Sequence, residues 1–159
     1  MITWSKFKEV FKKDFWICFG KYIRGTVNIA HEKYDFAIND FNWILENGGL
    51  PATESLIYVN LGVAYARLNN FKRAEECLTK ATEYESNKSN GELYQWLGYI
   101  SCVRDQYKDA IEYFRKAFAL GQRGIDRWLV NQEYVKNNII KLDKIIREEN
   151  RDIFPNFGD

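Results

Sequence analysis

The side chains that could act as nucleophiles or bases are few and lie far apart in the sequence. The 159-residue chain has a single histidine, His31, and three cysteines. Cys18 lies 13 residues before His31, whereas neighbours on one helix are three or four residues apart. The carboxylates of Glu75 and Glu76 are consecutive, so on a helix they point to different faces. We therefore expect no catalytic residues and interpret the chain as non-enzymatic.

Metal and phosphate motifs are also missing from the sequence. It has no Cys-x2-Cys pair, no His-Glu-x2-His motif and no EF-hand loop, which are common ways to bind zinc or calcium. Gly20-Lys21 lacks the rest of a phosphate-binding loop. The formal net charge is +1, whereas a nucleic-acid binder is normally basic. We expect no metal, no cofactor and no nucleic-acid partner.

The composition is that of a helical globular protein. Only two prolines occur, which favours long helices, and aromatic residues make up 16% of the chain. Trp16, Trp43, Trp96 and Trp128 fall within apolar periodic segments, and we interpret them as core residues. Three cysteines cannot all pair, which indicates a reducing compartment. No run of 18 apolar residues occurs. We therefore expect a cytoplasmic protein without a signal peptide.

An internal repeat of 36 or 37 residues organises the chain. When the middle of the sequence is moved forward by 36 positions, Gly62 meets Gly98 and Ala74 meets Ala110. A backward shift by 37 gives a weaker third copy, in which Gly25 meets Gly62. A mid-helix glycine costs about 1 kcal/mol relative to alanine, which indicates that another helix approaches closely. We expect the small side chains of Ala74 and Ala110 to face these glycines.

The repeated pattern resembles the tetratricopeptide repeat, a pair of antiparallel helices. In one copy, large apolar residues, a glycine and small residues recur at the family's spacing: Tyr58, Leu61, Gly62, Tyr65, Ala74, Leu78 and Ala81. A second copy has the same residue classes at Tyr94, Leu97, Gly98, Ala110, Phe114 and Ala117. The resemblance implies an all-α fold, a right-handed α-solenoid of antiparallel helix pairs that winds into a superhelix.

The resemblance and the breaks between periodic segments divide the chain into six parts. These are an N-terminal amphipathic helix at 1–17, a degenerate repeat 1 at 18–51, repeat 2 at 55–88, repeat 3 at 91–124, a C-terminal capping helix at 125–150 and a tail at 151–159. Repeat 1 departs from the family, because Lys21, Arg24 and Asn28 stand where large apolar residues are usual.

Proteins of this family bind partner segments in a concave groove lined by the first helix of each pair. Carried over to this sequence, the groove residues are Tyr22, Thr26, Val59, Val63, Arg67, Gln95 and Tyr99. Some family members hold the acidic C-termini of chaperones with a clamp of Lys, Arg and Asn on this wall. That clamp is absent here, so the groove is expected to bind an amphipathic helix or an extended apolar peptide.

Both ends of the chain leave alternatives open. Trp4, Phe7 and Phe11 lie on one side of a helical pattern rich in lysine. They could cap repeat 1, fill the groove or contact an anionic membrane, and capping is favoured because solenoid ends expose apolar surface. Near the other end, Val135 and Leu142 belong to a seven-residue pattern, which fits a capping helix or a homodimeric coiled coil.

The sequence therefore predicts a non-catalytic protein-interaction scaffold or adaptor that binds a partner peptide or helix. Two alternatives accompany this prediction. One is a dedicated chaperone of a secreted or membrane-active client, because secretion chaperones with three such repeats have a similar layout. The other is a peripheral membrane-associated assembly factor that attaches through the basic aromatic N-terminal helix.

Overall fold

A computed structural model describes residues 13–47, 53–84, 86, 88–121 and 131–153 of the chain. These residues form seven α-helices and no strand, so the all-α prediction is confirmed for them. In chain order, the helices are α1 (Lys13–Ala30), α2 (Tyr34–Glu46), α3 (Glu54–Arg67), α4 (Phe71–Thr82), α5 (Gly91–Val103), α6 (Tyr107–Gly121) and α7 (Gln132–Ile153). None of the helices in these ranges combines the length and the hydrophobicity that crossing a bilayer requires.

The helices belong to two compact units, residues 1–84 and residues 85–159. In the first unit, α1 packs on α2, α3 packs on α4, and α3 also contacts both α1 and α2. In the second unit, α6 packs on both α5 and α7. Three-residue turns join α1 to α2, α3 to α4, and α5 to α6, so each of these is an antiparallel helix pair.

The three turns within the helix pairs have the same geometry. Each contains one residue with positive φ, namely Glu32 (59°), Asn69 (58°) and Asp105 (57°). The residue that follows donates its N–H to the carbonyl five residues earlier, at 2.8 Å or 2.9 Å, which is the helix-ending arrangement that left-handed residues allow. Repeat 1 therefore turns in the same way as the other two, although its sequence departs most from the family pattern.

Close helix packing at a glycine recurs in each pair, but the facing residues differ from the prediction. The glycine lies against a large side chain sixteen residues later, in the pairs Gly25–Phe41, Gly62–Leu78 and Gly98–Phe114. Ala74 and Ala110, which were expected to face the glycines, are thus not the nearest residues. Of the three atoms nearest to a Cβ placed on Gly62, two belong to Leu78 and one is the carbonyl oxygen of Ala74, 3.3 Å away. Both alanines are fully buried nearby.

The core of the first unit joins α1, α2 and α3. Its buried members are Cys18, Ala37, Ile38, Phe41, Ile44, Ile57, Leu61 and Ala64. In the second unit, Val135 and Leu142 of α7 are buried, and the Tyr134 ring meets Phe114 of α6 edge-on at 5.9 Å. Arg115 Nη2 of α6 donates to Asp143 Oδ1 of α7 at 2.9 Å. The side of the seven-residue pattern that contains Val135 and Leu142 is thus buried by packing within the same chain.

The prediction that the tryptophans are core residues is wrong for Trp16, whose exposed fraction is 57%. Trp43 and Trp96 are partly buried, and Trp128 lies outside the described residues. Close to Trp16, the apolar residues Phe15, Ile17 and Phe19 lie on different sides of α1, so the sequence alone does not show which side faces the core. The exposed side is a surface that the rest of the described first unit leaves open.

Candidate functional site

Two of the predicted groove residues lie on α1 and are half-buried. The Tyr22 ring packs edge-on against Phe41 with centroids 6.1 Å apart, and its hydroxyl hydrogen-bonds with the Asn60 side chain of α3. Burial raises the pKa of Tyr22, and the hydrogen bond with Asn60 works against this rise. Thr26 lies one turn later, and its hydroxyl donates to the Ile23 carbonyl at 2.8 Å. Tyr22 thus links α1 to α3 at this face.

The three predicted groove residues on α3 differ in exposure. Val59 is only 4% exposed and Val63 only 7%, so neither offers a partner much apolar surface. Arg67 is exposed in the last turn of the helix. Leu56, one turn before Val59 on the same helix, is by contrast 42% exposed. Among these apolar residues of α3, Leu56 is therefore accessible to a partner, whereas Val59 and Val63 are buried.

Sequence reasoning missed Phe19 and Leu56 as candidate contact residues. Phe19 is 44% exposed and lies one turn before Tyr22 on the same side of α1. The shift of 37 that aligns Gly25 with Gly62 also aligns Phe19 with Leu56. The two residues therefore occupy equivalent positions in the first helices of successive helix pairs. The signal was present in the sequence, since each of them precedes its repeat glycine by six residues.

The remaining groove predictions fall in the second unit. Gln95 is partly buried, and its side-chain oxygen accepts the Asn131 N–H at 2.8 Å. Tyr99 is also partly buried, and its ring meets Trp96 edge-on at 5.9 Å. Both side chains thus take part in packing or hydrogen bonding within their own unit. The residues predicted to form a cap or membrane face, Trp4, Phe7 and Phe11, lie outside the described residues.

A buried carboxylate explains the unusual residues of repeat 1. Asp40 of α2 is 4% exposed; it accepts hydrogen bonds from Arg24 Nε at 2.7 Å and from Lys21 Nζ at 3.2 Å. The Arg24 hydrogen bond, with help from Lys21, holds the pKa of Asp40 below its usual range although burial opposes this. The Lys21 ammonium also lies 4.6 Å from the centre of the Trp43 ring, a cation–π distance. Lys21 and Arg24 thus replace an apolar contact with a charged one.

The residues singled out for possible chemistry include His31 and Cys77, which the structure places on different helix pairs. His31 follows the end of α1 and is exposed, and its backbone N–H donates to the Val27 carbonyl at 3.1 Å. Burial, with help from the charge of Glu76, raises the pKa of the Cys77 thiol to about 11, so its nucleophilic thiolate is scarce. Among the described residues, no group of three His, Cys, Asp or Glu side chains could hold a metal ion.

Comparison with known proteins identifies the repeat. The tetratricopeptide-repeat family profile matches residues 55–88, which include α3 and α4. Residues 55–88 are therefore a tetratricopeptide repeat. The structure of the chain is similar to the tetratricopeptide-repeat domain of Sgt2 from Aspergillus fumigatus, with a TM-score of 0.65 and 20% identity over 89% of this chain and 87% of that one. The predicted tetratricopeptide repeat at residues 55–88 and the predicted helical-repeat solenoid fold are confirmed.

Two other proteins are similar to this chain. One is the first such domain of Spaghetti (RPAP3), solved bound to the HSP90 peptide SRMEEVD, with a TM-score of 0.66 and 18% identity over 84% of this chain and 96% of that one. The other is the Sol locus transcriptional repressor of Clostridium acetobutylicum, 32% identical over 99 residues, which are 56% of this chain. The matched part of this chain spans 30% of the length of that curated relative.

Proposed function

We propose that this chain is a non-catalytic scaffold or adaptor that binds a segment of a partner protein on the α1–α3 face of the first unit. The observation that carries the proposal is the equivalent placement of two exposed apolar side chains, Phe19 and Leu56, on helices that contact one another. Exposed apolar side chains at equivalent positions of successive repeats are more typical of a binding surface than single exposed apolar residues scattered over the protein. We define the groove face as Phe19, Tyr22, Thr26, Leu56 and Arg67.

The spacing of these anchors indicates which partner would fit. Helices in contact lie about 8–10 Å apart, so Phe19 and Leu56 at equal stations would be separated by roughly that distance. Two apolar side chains seven residues apart on a partner helix are separated by about 10.5 Å. In an extended partner with polyproline II geometry, which has three residues per turn, side chains three residues apart lie on the same side and are separated by about 9 Å. Either kind of segment would place one apolar side chain on each anchor, with polar Tyr22, Thr26 and Arg67 beside them.

The comparisons support this use of the fold without naming a partner. The Spaghetti domain holds a peptide of another protein, and we propose that the present chain also recognises a short segment. Its groove face has one cation, Arg67, next to apolar and hydroxyl groups, so we propose an apolar segment. The activity named for the Clostridium repressor is not carried over, because the matched part is 30% of that protein. A cytoplasmic location and a homodimer stay predictions.

Affinity capture with matched variants tests the proposal. Wild type, Leu56→Glu and Phe36→Glu would be used as bait in lysate of the native host, with retained helicity checked by circular dichroism. Phe36 is 65% exposed on α2, outside the groove face, so its variant controls for an added charge at an exposed apolar site. We expect one partner to be captured by wild type and by Phe36→Glu and to be lost with Leu56→Glu. Equal capture by all three would contradict the proposal.

Two further assays with the same proteins separate the alternative functions. A dedicated chaperone would keep its client soluble, so a partner that precipitates when it is released from the complex would favour that alternative over a simple adaptor. A membrane-associated assembly factor would float with anionic vesicles, and this flotation would persist in Leu56→Glu because the groove face is not involved.

A further inference from the structure

A cavity of about 520 Å³ lies between α1 and α2 of the first unit. We call it the α1–α2 cavity. Two of its lining residues, Arg24 and Asn28, lie on the opposite side of α1 from Phe19 and Thr26 of the groove face. Small-molecule sites measure about 300–1,000 Å³, so the α1–α2 cavity has room for a small organic ligand.

The charge of the α1–α2 cavity indicates that such a ligand is an anion. Its described lining contains four charged residues, which are Lys21, Arg24, Lys33 and Asp40. Three cations and one carboxylate give a formal charge of +2. The carboxylate is also the least accessible of the four, since the Asp40 side chain is 5% exposed and that of Arg24 is 63% exposed. A ligand that enters the cavity therefore meets the cations first.

The buried carboxylate holds two of the cations in place. Asp40 accepts hydrogen bonds from Nε and Nη2 of Arg24, which use two of the five N–H groups of the guanidinium. Lys21 is fixed between Asp40 and the Trp43 ring. The outer N–H groups of Arg24 can still donate to a ligand, and a guanidinium can bind an oxyanion through two parallel hydrogen bonds.

The start of α2 adds hydrogen-bond donors next to these cations. In the second helix pair, the Asn70 side chain caps α4 by accepting the N–H of Arg73 at 3.3 Å. The shift of 37 aligns Asn70 with Lys33 and Arg73 with Phe36. Lys33 forms no side-chain cap, and an ammonium group cannot accept a hydrogen bond. The first N–H groups of α2 are therefore open to an anion, which the helix dipole also favours.

We propose that the α1–α2 cavity binds a small phosphate monoester that carries an aromatic ring. Near neutral pH, a phosphate monoester has a charge of about −1.5 to −2, which balances the charge of the cavity, whereas a carboxylate supplies only one negative charge. Arg24 and Lys33 would hold the phosphate at the start of α2. Phe36, which is 65% exposed and also lines the cavity, would pack against the ring of the ligand.

Isothermal titration calorimetry of the full chain with phenyl phosphate tests the proposal. We expect a dissociation constant on the order of 0.1 mM for this small probe. Inorganic phosphate lacks the ring, and benzoate has the ring with a single negative charge. Each of these two matched probes should bind at least about tenfold more weakly, because each lacks one of the two recognised groups.

Matched variants locate the binding site. Lys33→Gln should weaken phenyl phosphate binding about tenfold, because a charged hydrogen bond is lost. Lys33 is exposed and is not paired with Asp40, so the variant should keep the wild-type melting curve, which is checked first. Lys72→Gln removes an exposed lysine from α4 and should bind like wild type. Phe36→Ala should weaken the binding of phenyl phosphate but not that of inorganic phosphate.

Three results would overturn the proposal. One is the absence of phenyl phosphate binding at about 5 mM, well above the expected dissociation constant. Another is equal weakening by Lys33→Gln and Lys72→Gln, which would indicate general attraction to a lysine-bearing surface. The third is benzoate binding as tight as that of phenyl phosphate, because the site would then not select a phosphate. Partner capture through Leu56 is a separate measurement and does not depend on these results.

Discussion

Gly62 of α3 lies so close to Leu78 of α4 that a Cβ on the glycine would be 2.6 Å from Leu78 Cδ2. Leu78 is completely buried, so it has little room to move away. The repeat glycine is therefore retained for close helix packing, in spite of its poor helix propensity. A glycine in each of the other two pairs is set in the same way against the ring of a buried phenylalanine.

Two glycine-to-alanine substitutions should change stability in opposite directions. Gly62→Ala should destabilise the protein by about 1–3 kcal/mol, because the added methyl group overpacks a filled core. Gly20→Ala should stabilise it by about 0.5–1 kcal/mol, because alanine is the better helix former. No atom lies within 4 Å of a Cβ at Gly20. Denaturant unfolding measures both, and a gain in stability for Gly62→Ala would contradict the packing account.

The ion pair around Asp40 predicts a pH-dependent effect. Because Arg24 and Lys21 lower the pKa of Asp40, the carboxylate stabilises the fold above its unfolded pKa, and this contribution is lost as the pH falls through its folded pKa. Asp40→Asn should destabilise on the order of 1 kcal/mol near neutral pH, since the cations are partly exposed. The gap from wild type should shrink below about pH 4.

A matched carboxylate controls for the loss of charge. Glu46→Gln removes an exposed carboxylate from the end of the same helix, α2, and should change the free energy of unfolding much less. Urea unfolding of wild type and both variants at several pH values gives the comparison. A penalty for Asp40→Asn that stays constant into the acidic range would show that lost packing, rather than the ion pair, is responsible.

The fold was predictable because its main requirement is visible in the sequence. A close helix crossing needs a small residue, so Gly62 and Gly98 recur at a fixed period, and the period identifies the architecture. The partners of single residues were less predictable. That Asp40 pairs with Lys21 and Arg24 depends on the packing of α1 against α2, and nothing in their sequence spacing required it.

The turn at Glu32 predicts a stabilising substitution. Glu32 has φ of 59°, a left-handed conformation that costs a non-glycine residue roughly 1–2 kcal/mol. Glu32→Gly should remove most of this cost, and after the larger entropy of the unfolded chain is included, a gain of about 0.5–1 kcal/mol remains. Asn69→Gly is the control and should gain less, because asparagine tolerates this conformation. A lower melting temperature for Glu32→Gly would contradict the prediction.

Acidic chaperone tails should not bind to the groove face. The peptide SRMEEVD, held by the Spaghetti domain, is a suitable probe, and that domain is the positive control. At the positions of the first unit that correspond to the clamp of Lys, Arg and Asn, this chain has uncharged residues. They are Tyr22, Thr26, Val59 and Val63. In isothermal titration calorimetry, we expect a dissociation constant weaker than about 1 mM. Micromolar binding would show that cations elsewhere replace the clamp.

The candidate site was predictable as a surface but not in its exact residues. Helical spacing assigns Leu56, Val59 and Val63 to neighbouring positions on α3, and all three are apolar. Which of them is exposed depends on how neighbouring elements cover the helix, and the structure leaves Leu56 accessible while it buries the valines. Phe19 was missed for the same reason, since its exposure depends on tertiary contacts rather than on its residue type.

The most direct test of partner binding at the groove face is a hydrogen-exchange footprint of the full chain with and without its captured partner. With the partner bound, we expect slower amide exchange than in the free chain in the peptides of α1 and α3 that contain Phe19 and Leu56. The Leu56→Glu variant should show no such slowing at the same partner concentration. Protection confined to α6 and α7, or equal protection in the variant, would contradict it.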